Sequence, residues 1–173
     1  LSNRVEVVAV TKSHPISAIH LAHSAGIKHI GENKVQEADS KFRLEELAAL
    51  HLKKRMIGHL QSNKANKAVE IFDTIDSIDS VSLAKKLNAA AGKSKTRIEG
   101  LLQVNTTKEK TKSGFLISEE DEMLECCELP NLSIKGLMAM ASFSGTETEV
   151  HKAFETLRVV KEKLNKSLNG EQL

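Results

Sequence analysis

The chain alternates short runs of β-branched and other apolar residues with longer segments in which apolar residues recur at helical spacing. The short apolar runs predict the buried strands of a parallel sheet, and the longer segments predict helices. The predicted strands are residues 5–10, 27–30, 55–58, 74–78, 98–104 and 134–140. The predicted helices are residues 16–25, about 35–52, 64–71, 81–91, a segment ending at 127, and 149–168.

Residues that start or stop helices lie at several of these boundaries. Pro15 suits the first turn of the first helix, and Gly26 is typical of its end. Asp79 or Ser80 predicts the N-cap of helix 81–91. Residues 118–121, Ser-Glu-Glu-Asp, predict a capped start for the helix that ends at 127.

Six strand–helix units follow one another at a spacing of about 25–30 residues, which predicts parallel strands with right-handed crossovers. An open doubly wound sheet and a barrel both fit this order. The barrel is favoured because no strand is followed by the Gly-x-Gly-x-x-Gly turn of dinucleotide folds, and several strands end in short polar clusters. We therefore predict an α/β fold, a (β/α)8 TIM-type barrel of which the chain represents about six βα units.

Composition narrows the range of partners. The 173 residues suffice for one domain, and the net charge of +2 gives no case for a nucleic-acid or membrane partner by bulk attraction. The sequence shows no apolar stretch near the ~20 residues of a membrane span and no signal peptide in residues 1–30. Cys126 and Cys127 are the two cysteines, and we interpret both as reduced and partly buried, which favours a cytoplasmic location.

Lys12 is the residue on which the chemistry depends. It follows the first predicted strand, at the edge of an α/β sheet where ligands bind. A lysine beside low-dielectric strand residues can have its amine pKa lowered enough to attack a carbonyl. The alternative is a solvated loop lysine, and position alone leaves the two interpretations open.

Other polar residues also follow the predicted strands and should converge with Lys12 on one barrel mouth. They are His14, Glu32, Asn33, His59, Gln61, Asn63, Asp76, Ser77, Asn105 and residues 138–142. An amine with imidazoles and amides suits a polar carbonyl ligand held through a Schiff base. The sequence has no metal-ligand spacing, no nucleophile elbow and no Walker loop.

Each candidate also has a purely structural interpretation. His59 can be a hydrogen-bonded histidine without a ligand, and Asn33 can cap the following helix. Ser62 is interpreted as a cap rather than a ligand contact. Met138 and Met140 are interpreted as core and pocket wall. The lysines of the loop at 106–115 (Lys108, Lys110 and Lys112) predict a solvated face.

Five motifs occur in order: Val-Ala-Val-Thr-Lys (8–12), Ile-Gly-Glu-Asn-Lys-Val-Gln-Glu (30–37), Ile-Gly-His-Leu-Gln-Ser-Asn-Lys (57–64), Lys-Ser-Gly-Phe (112–115) and Gly-Leu-Met-Ala-Met (136–140). Together they resemble the pyridoxal phosphate homeostasis protein family, whose fold is similar to the N-terminal barrel domain of alanine racemase. The resemblance extends over essentially the whole chain, and His-Leu-Gln-Ser-Asn-Lys is its most specific element.

The resemblance implies that Lys12 forms a Schiff base with pyridoxal 5′-phosphate (PLP), while Asn33 and His59 line the cofactor. Met138, as pocket wall, completes the candidate cofactor-binding set. The family has no firmly established reaction and is thought to hold PLP and hand it over, so PLP-dependent apoenzymes are expected partners. We expect a monomer or weak dimer.

The chain departs from the family at its ends. It starts directly before the first strand, and it stops at Leu173, before the Ser-rich turn and the Arg-Ile-Gly segment that hold the phosphate in the family. We expect residues 1–173 to form a single PLP-binding barrel domain, with the terminal helix and the last two βα units not represented. A cofactor held by Lys12 alone should bind weakly and reversibly.

Three alternatives remain open. A PLP-dependent amino-acid racemase-like enzyme needs a second acid/base group, and the chain has no Tyr, which leaves His59 as the candidate. A cofactor-free Schiff-base aldolase is less consistent with the motifs. Lys34 or Lys64 could replace Lys12 as the cofactor lysine.

Overall fold

The computed structural model describes residues 5–107, 113–142, 145–168 and 173. Its strands are β1 Val8–Val10, β2 His29–Glu32, β3 Lys53–Met56, β4 Thr74–Ile78, β5 Ile98–Gln103 and β6 Leu132–Met138. Its helices are α1 Ile16–Ser24, α2 Val35–Phe42, α3 Glu45–Ala48, α4 Ala65–Ile71, α5 Val81–Lys93, α6 Glu120–Cys127 and α7 Glu147–Ser167. The predicted alternation of strands and helices is confirmed.

The six strands form one parallel sheet in the order β1-β2-β3-β4-β5-β6, so each strand pairs with its neighbours in sequence. A doubly wound sheet reverses its strand order at a switch point, whereas a (β/α) barrel adds strands in one direction. This order therefore supports the predicted barrel. Within the described residues, β1 and β6 are the edges of the sheet.

Two clusters of buried apolar residues pack the helices against the sheet. The larger extends from α2 to α7, and its two packed aromatic rings, Phe42 and Phe72, meet edge to face at 6.3 Å. The smaller cluster lies under α1 and α3 and contains Ile19, Ile30 and Leu47. Aliphatic side chains thus form the core of a chain that has neither Trp nor Tyr.

The first strand differs from its prediction in length and burial. It covers Val8–Val10 rather than residues 5–10, and Val5, Val7 and Val10 are 59%, 45% and 46% exposed. Among the described residues β1 pairs with β2 alone, so no strand lies along its other side to cover these side chains. The prediction of a strand buried on both faces was wrong here.

The predicted helix at 35–52 is two helices. Leu44 has an extended backbone between α2 and α3, which turns Leu47 into the smaller core cluster. Tertiary packing here outweighs the continuous helical pattern. The strands β2, β3 and β6 also begin two residues before or after their predicted starts.

Of the predicted helix-end residues, Gly26 and Ser80 are confirmed and Ser118 is not. Gly26 has a φ of +82° just after α1, and Ser80 Oγ accepts a hydrogen bond from the Leu83 amide at the start of α5. Ser118 does not cap α6, because Glu119 occupies the N-cap position and its carboxylate binds the Leu116 amide instead. The predicted lysine loop face (Lys108, Lys110 and Lys112) lies outside the described residues.

Candidate functional site

The carboxyl ends of β1, β2 and β3 place three of the predicted site residues along one edge of the sheet. Lys12 follows β1, Asn33 follows β2 and His59 follows β3. Because these strands are parallel neighbours, the three residues share the mouth of the barrel. Met138 ends β6, at the same edge but at the opposite end of the strand order.

Lys12 is exposed, and no hydrogen bond or ion pair between described residues involves its amine. Its loop is nevertheless ordered by backbone hydrogen bonds, since the Thr11 amide donates to Gly31 O at 3.1 Å and the His14 amide donates to Thr11 O at 3.1 Å. The neighbouring Ser13 has a φ of +59°, a left-handed conformation that is uncommon for a residue other than glycine. The amine is thus available to a ligand and stands on a defined loop.

Asn33 lies against the loop that carries His59. A Cβ atom on Gly58 would come within 2.5 Å of Asn33 O, so only glycine permits this close approach of backbones. Ser77 Oγ donates to Gly58 O at 2.6 Å and ties the same loop to β4. Asn33 does not cap α2, because the N-cap position falls on Lys34 without a side-chain hydrogen bond. The capping interpretation of Asn33 was therefore wrong.

His59 is held by Asp79, whose Oδ2 lies 3.0 Å from the Nδ1 atom. The histidine side chain is 60% exposed, whereas that of Asp79 is 12% exposed. A carboxylate on Nδ1 orients the imidazole and leaves Nε2 as the nitrogen that a ligand can meet. The sequence placed Asp79 only as a possible cap, and nothing in the local pattern connects it with His59.

Glu32 does not face the mouth, contrary to its prediction. Its side chain is fully buried and faces α2, where Oε1 accepts hydrogen bonds from Thr11 Oγ1 at 2.7 Å and from Lys41 Nζ at 2.8 Å. Glu32 is the last residue of β2, and the alternation of side chains along a strand turns it outward.

Lys41 and Glu37 were missed by the sequence analysis. Lys41 Nζ donates to Glu37 Oε1 at 2.7 Å, one helical turn away on α2, and to Thr11 O at 2.8 Å. Burial lowers the pKa of Lys41, but its hydrogen bonds to Glu32 and Glu37 outweigh burial and raise the pKa above 10.5. The hydrogen bond from Lys41, helped by one from the Ser13 amide, lowers the pKa of Glu37. The i,i+4 acid–lysine spacing was the available signal.

The remaining strand-end candidates are occupied elsewhere. Asp76 is buried and forms a double hydrogen bond with Arg55, at 2.7 and 3.0 Å. Asn105 Oδ1 accepts hydrogen bonds from the amide and hydroxyl of Thr107. Met140 is 56% exposed and is therefore not core, although Met138 is half-buried as expected for a pocket wall.

The predicted cap cluster at residues 61–63 does not form. A single 3₁₀ turn at Ser62–Lys64 leads into α4, and the N-cap positions fall on Gln61 and Lys64, neither with a side-chain hydrogen bond. The interpretation of Ser62 as a cap was therefore wrong. Its exposed side chain, like those of Gln61 and Asn63, stands beside the His59 loop.

A cavity of about 510 Å³ lies on the face of the sheet opposite the helices, below the mouth. Acidic and basic side chains make up most of its lining, namely Glu6, Lys53, Arg55, Asp76, Glu99 and Lys135, and the imidazole of His29 also lines it. These groups largely pair with one another: Lys53 Nζ lies 2.7 Å from Glu99, and Arg55 also contacts His29 Nδ1 at 3.2 Å. The cavity is a charge-paired barrel interior, and Lys12 does not line it.

Other chemistries find little support in the described residues. No group of three or more His, Cys, Asp or Glu side chains within them could hold a metal ion. Cys126 and Cys127 form no disulfide within the described residues, and burial raises the pKa of the Cys126 thiol to about 12, which makes it a poor nucleophile. None of the helices in the described ranges combines the length and apolar character that a membrane-crossing helix needs.

The parallel strands pair in sequence order, and a lysine follows the first of them. These two features place the protein in the class of (β/α) barrels that carry an amine at the mouth. The model of the alanine racemase N-terminal domain family matches residues 1–172, and the chain belongs to this family.

Curated proteins to which the chain is similar include pyridoxal phosphate homeostasis proteins. The Haemophilus influenzae protein is 35% identical over 175 residues, covering 99% of this chain and 73% of the relative. The Escherichia coli K12 protein is 38% identical over 156 residues, covering 89% of this chain and 65% of the relative. The chain thus spans about two thirds to three quarters of the length of these relatives.

Among solved structures, PipY of Synechococcus elongatus PCC7942 with PLP bound is similar to this chain. The two are 36% identical, with a TM-score of 0.90, and the match covers 100% of this chain and 80% of PipY. At this identity the likeness extends beyond the bare fold.

Proposed function

We propose that this protein binds PLP and serves intracellular PLP homeostasis, holding the cofactor as a Schiff base on Lys12. The observation that carries the proposal is the Lys12 amine, which has no partner among the described residues and follows β1 at the edge of the sheet where Asn33 follows β2 and His59 follows β3. The relatives named for PLP homeostasis and the PLP-bound PipY structure support the choice of ligand.

The residues present fit the aldehyde end of this cofactor. PLP supplies an aldehyde, and the Lys12 amine condenses with it to form a C=N bond and release one water. Asn33 and the Asp79-held ring of His59 offer an amide and an imidazole at the ends of the next two strands, and Met138 offers a half-buried apolar side chain at the end of β6. Because hydrolysis reverses the condensation with no reactant but water, such a site can take up and release the cofactor.

The wider role follows from this reversibility. We infer that the protein delivers PLP to PLP-dependent apoenzymes, acts as a monomer or weak dimer and works in the cytoplasm. Cys126 and Cys127 are adjacent and form no disulfide within the described residues, which is consistent with a reducing compartment. We further infer that residues 1–173 belong to one PLP-binding domain.

Borohydride trapping after incubation with PLP, followed by peptide mass mapping, tests the site. We expect a single reduced adduct on Lys12 that disappears in Lys12→Ala. The matched control is Lys34→Ala, because Lys34 is exposed beside the same mouth and should leave the Lys12 adduct intact. Adducts spread over many lysines, or an adduct that persists in Lys12→Ala, would contradict the proposal.

The His59–Asp79 pair is the observation that favours a second candidate function, that of a racemase-like enzyme. An imidazole oriented through Nδ1 can exchange a proton through Nε2, as α-proton abstraction requires. Amino acids should be incubated with the PLP-loaded protein in deuterated water, and their α-protons followed by NMR. No exchange above that of free PLP is expected of a carrier, whereas exchange lost in His59→Ala would indicate the enzyme.

A further inference from the structure

Both peptide groups that flank Lys12 are held by side chains of α2. The carbonyl between Thr11 and Lys12 accepts a hydrogen bond from Lys41 Nζ at 2.8 Å. The amide between Lys12 and Ser13 donates to Glu37 Oε1 at 2.6 Å. With the peptide on each side fixed, the position of the Lys12 Cα atom and the direction of its Cα–Cβ bond are fixed as well.

The holding groups form one connected unit, which we call the Lys41 cluster: Thr11, Glu32, Glu37 and Lys41. Lys41 Nζ uses its three protons on Thr11 O, Glu32 Oε1 and Glu37 Oε1. Thr11 Oγ1 also donates to Glu32 Oε1, so strand β2, helix α2 and the Lys12 loop share one hydrogen-bond network. Glu32 is fully buried, and the Lys41 side chain is only 11% exposed.

The loop needs such support because of its backbone. Ser13 adopts a φ of +59°, which a residue with a Cβ takes up only where its surroundings compensate. The hydrogen bond from the Ser13 amide to Glu37 supplies part of that compensation. Loss of Lys41 would remove one hydrogen bond to Glu37 and, at the same time, the side-chain hydrogen bond to the Thr11 carbonyl, which would keep only the one from the His14 amide.

The cluster also separates the roles of two lysines. Lys41 is buried between two carboxylates, which keep its amine protonated and hence without a lone pair to attack an aldehyde. Lys12 is exposed at the mouth, four residues before helix α1 begins at Ile16. Lys41 therefore holds the loop, while Lys12 is the lysine that is available to react.

We propose that Lys41 is a positioning residue for Lys12, acting through the Lys41 cluster to aim the Lys12 amine at the PLP aldehyde. This inference rests on the proposed function, because it presumes that Lys12 is the residue that bonds PLP. It assigns to α2 a role in the reactivity of the β1–α1 loop as well as in folding.

The test compares rates of Schiff-base formation with PLP in the folded protein, followed by imine absorbance and confirmed by trapped adduct on Lys12. We expect Lys41→Met to slow adduct formation by about 10- to 100-fold, since a misplaced reacting group costs that much. Lys41→Arg, which keeps the charge and several donors, should recover most of the rate. Glu37→Ala, at a half-buried site, provides a second variant that releases the Ser13 amide.

A variant that is destabilised elsewhere distinguishes a positioning role of Lys41 from a general contribution of Lys41 to stability. Arg55→Met removes a buried ion pair in the barrel interior, away from the Lys12 loop, and should keep the wild-type rate while lowering stability. Hydrogen exchange of the Ser13 amide measures, without any cofactor, how firmly Glu37 holds that amide. The exchange should be faster in Lys41→Met and Glu37→Ala than in the wild-type protein.

The outcomes distinguish the two proposals. If the wild-type protein forms the Lys12 adduct and both α2 variants match its rate, the positioning role is overturned while the proposed function stands. If the wild-type protein forms no Lys12 adduct, the proposed function fails and the positioning role fails with it. This holds even if hydrogen exchange shows that the Lys41 cluster protects the Ser13 amide. Slower adduct formation in both variants, with recovery in Lys41→Arg, supports the inference.

Discussion

Glu37 is a residue whose contribution to the fold depends on its charge. Its carboxylate accepts hydrogen bonds from the Lys41 amine and from the Ser13 amide, and these lower its pKa below 4.5. Hydrogen bonds to a charged acceptor are stronger than neutral ones. The hydrogen bond that holds the left-handed Ser13 is therefore stronger when Glu37 is ionised than when it is protonated.

Replacing Glu37 with Gln should destabilise the protein in a pH-dependent way. Gln keeps an acceptor oxygen but not the charge, so we expect a loss of about 1–2 kcal/mol at pH 7. A carboxylate with a lowered folded-state pKa stabilises above its unfolded pKa, and that stabilisation disappears as the pH falls through the folded value. Urea unfolding of both proteins from pH 7 to pH 3 measures the difference, which should shrink below about pH 4.5. A difference independent of pH would contradict this account.

At the scale of elements, α7 shows how a surface helix is started. Thr146 Oγ1 accepts from the Glu149 amide while the Glu149 carboxylate accepts from the Thr146 amide at 2.7 Å, which is a capping box. Hydrogen bonding to Thr146 also lowers the pKa of Glu149. The helix then buries Ala153, Val160 and Leu164 at helical spacing.

Thr146→Ala should lower the free energy of unfolding by about 1 kcal/mol, because the first turn loses its side-chain cap. Thr148→Ala is the matched control: the same chemical change at an exposed position inside the same helix, where an effect within about 0.5 kcal/mol is expected. Chemical denaturation gives both values. Equal effects of the two substitutions would show that the capping box adds nothing.

At the scale of the whole molecule, paired charges fill the face of the sheet opposite the helices. Arg55 on β3 binds Asp76 on β4 through two hydrogen bonds and contacts His29 on β2. The side chains of Arg55 and Asp76 are only 15% and 7% exposed. Three adjacent strands are thereby joined through side chains as well as through the backbone.

Arg55→Met should destabilise the protein by about 3 kcal/mol, since it leaves the buried Asp76 carboxylate unpaired. The double variant Arg55→Met/Asp76→Leu should recover most of that loss, because it removes both charges. The exposed pair Lys85–Glu125 provides the control, and Lys85→Met should cost less than about 1 kcal/mol. Thermal and urea unfolding measure all of these. A double variant as unstable as the single one would refute the argument.

The fold was largely predictable from local pattern. The residues of β4 were predicted without error, and α1, α4, α5 and α7 were placed to within about two residues, because their apolar spacing and end signals lie close together in sequence. The exposed flank of β1 and the break at Leu44 were not predictable, because each depends on which neighbour covers a face. That Lys12, Asn33 and His59 follow the first three strands was predictable from the strand pattern, because parallel strands end at one edge. Their role as a cofactor site stays a prediction.

The alternation of strands and helices, the strand-end lysine and the motifs of the family are local features, and the order of residues along the chain is enough to recognise them. Three contacts between distant residues are not: Glu32 faces α2 rather than the mouth, Asp79 holds His59, and Lys41 reaches Thr11 thirty residues away. Periodicity fixes which way a side chain leaves its own element. The partner it meets depends on how remote elements pack, and that partner decides whether a charge holds the fold or is left available to a ligand.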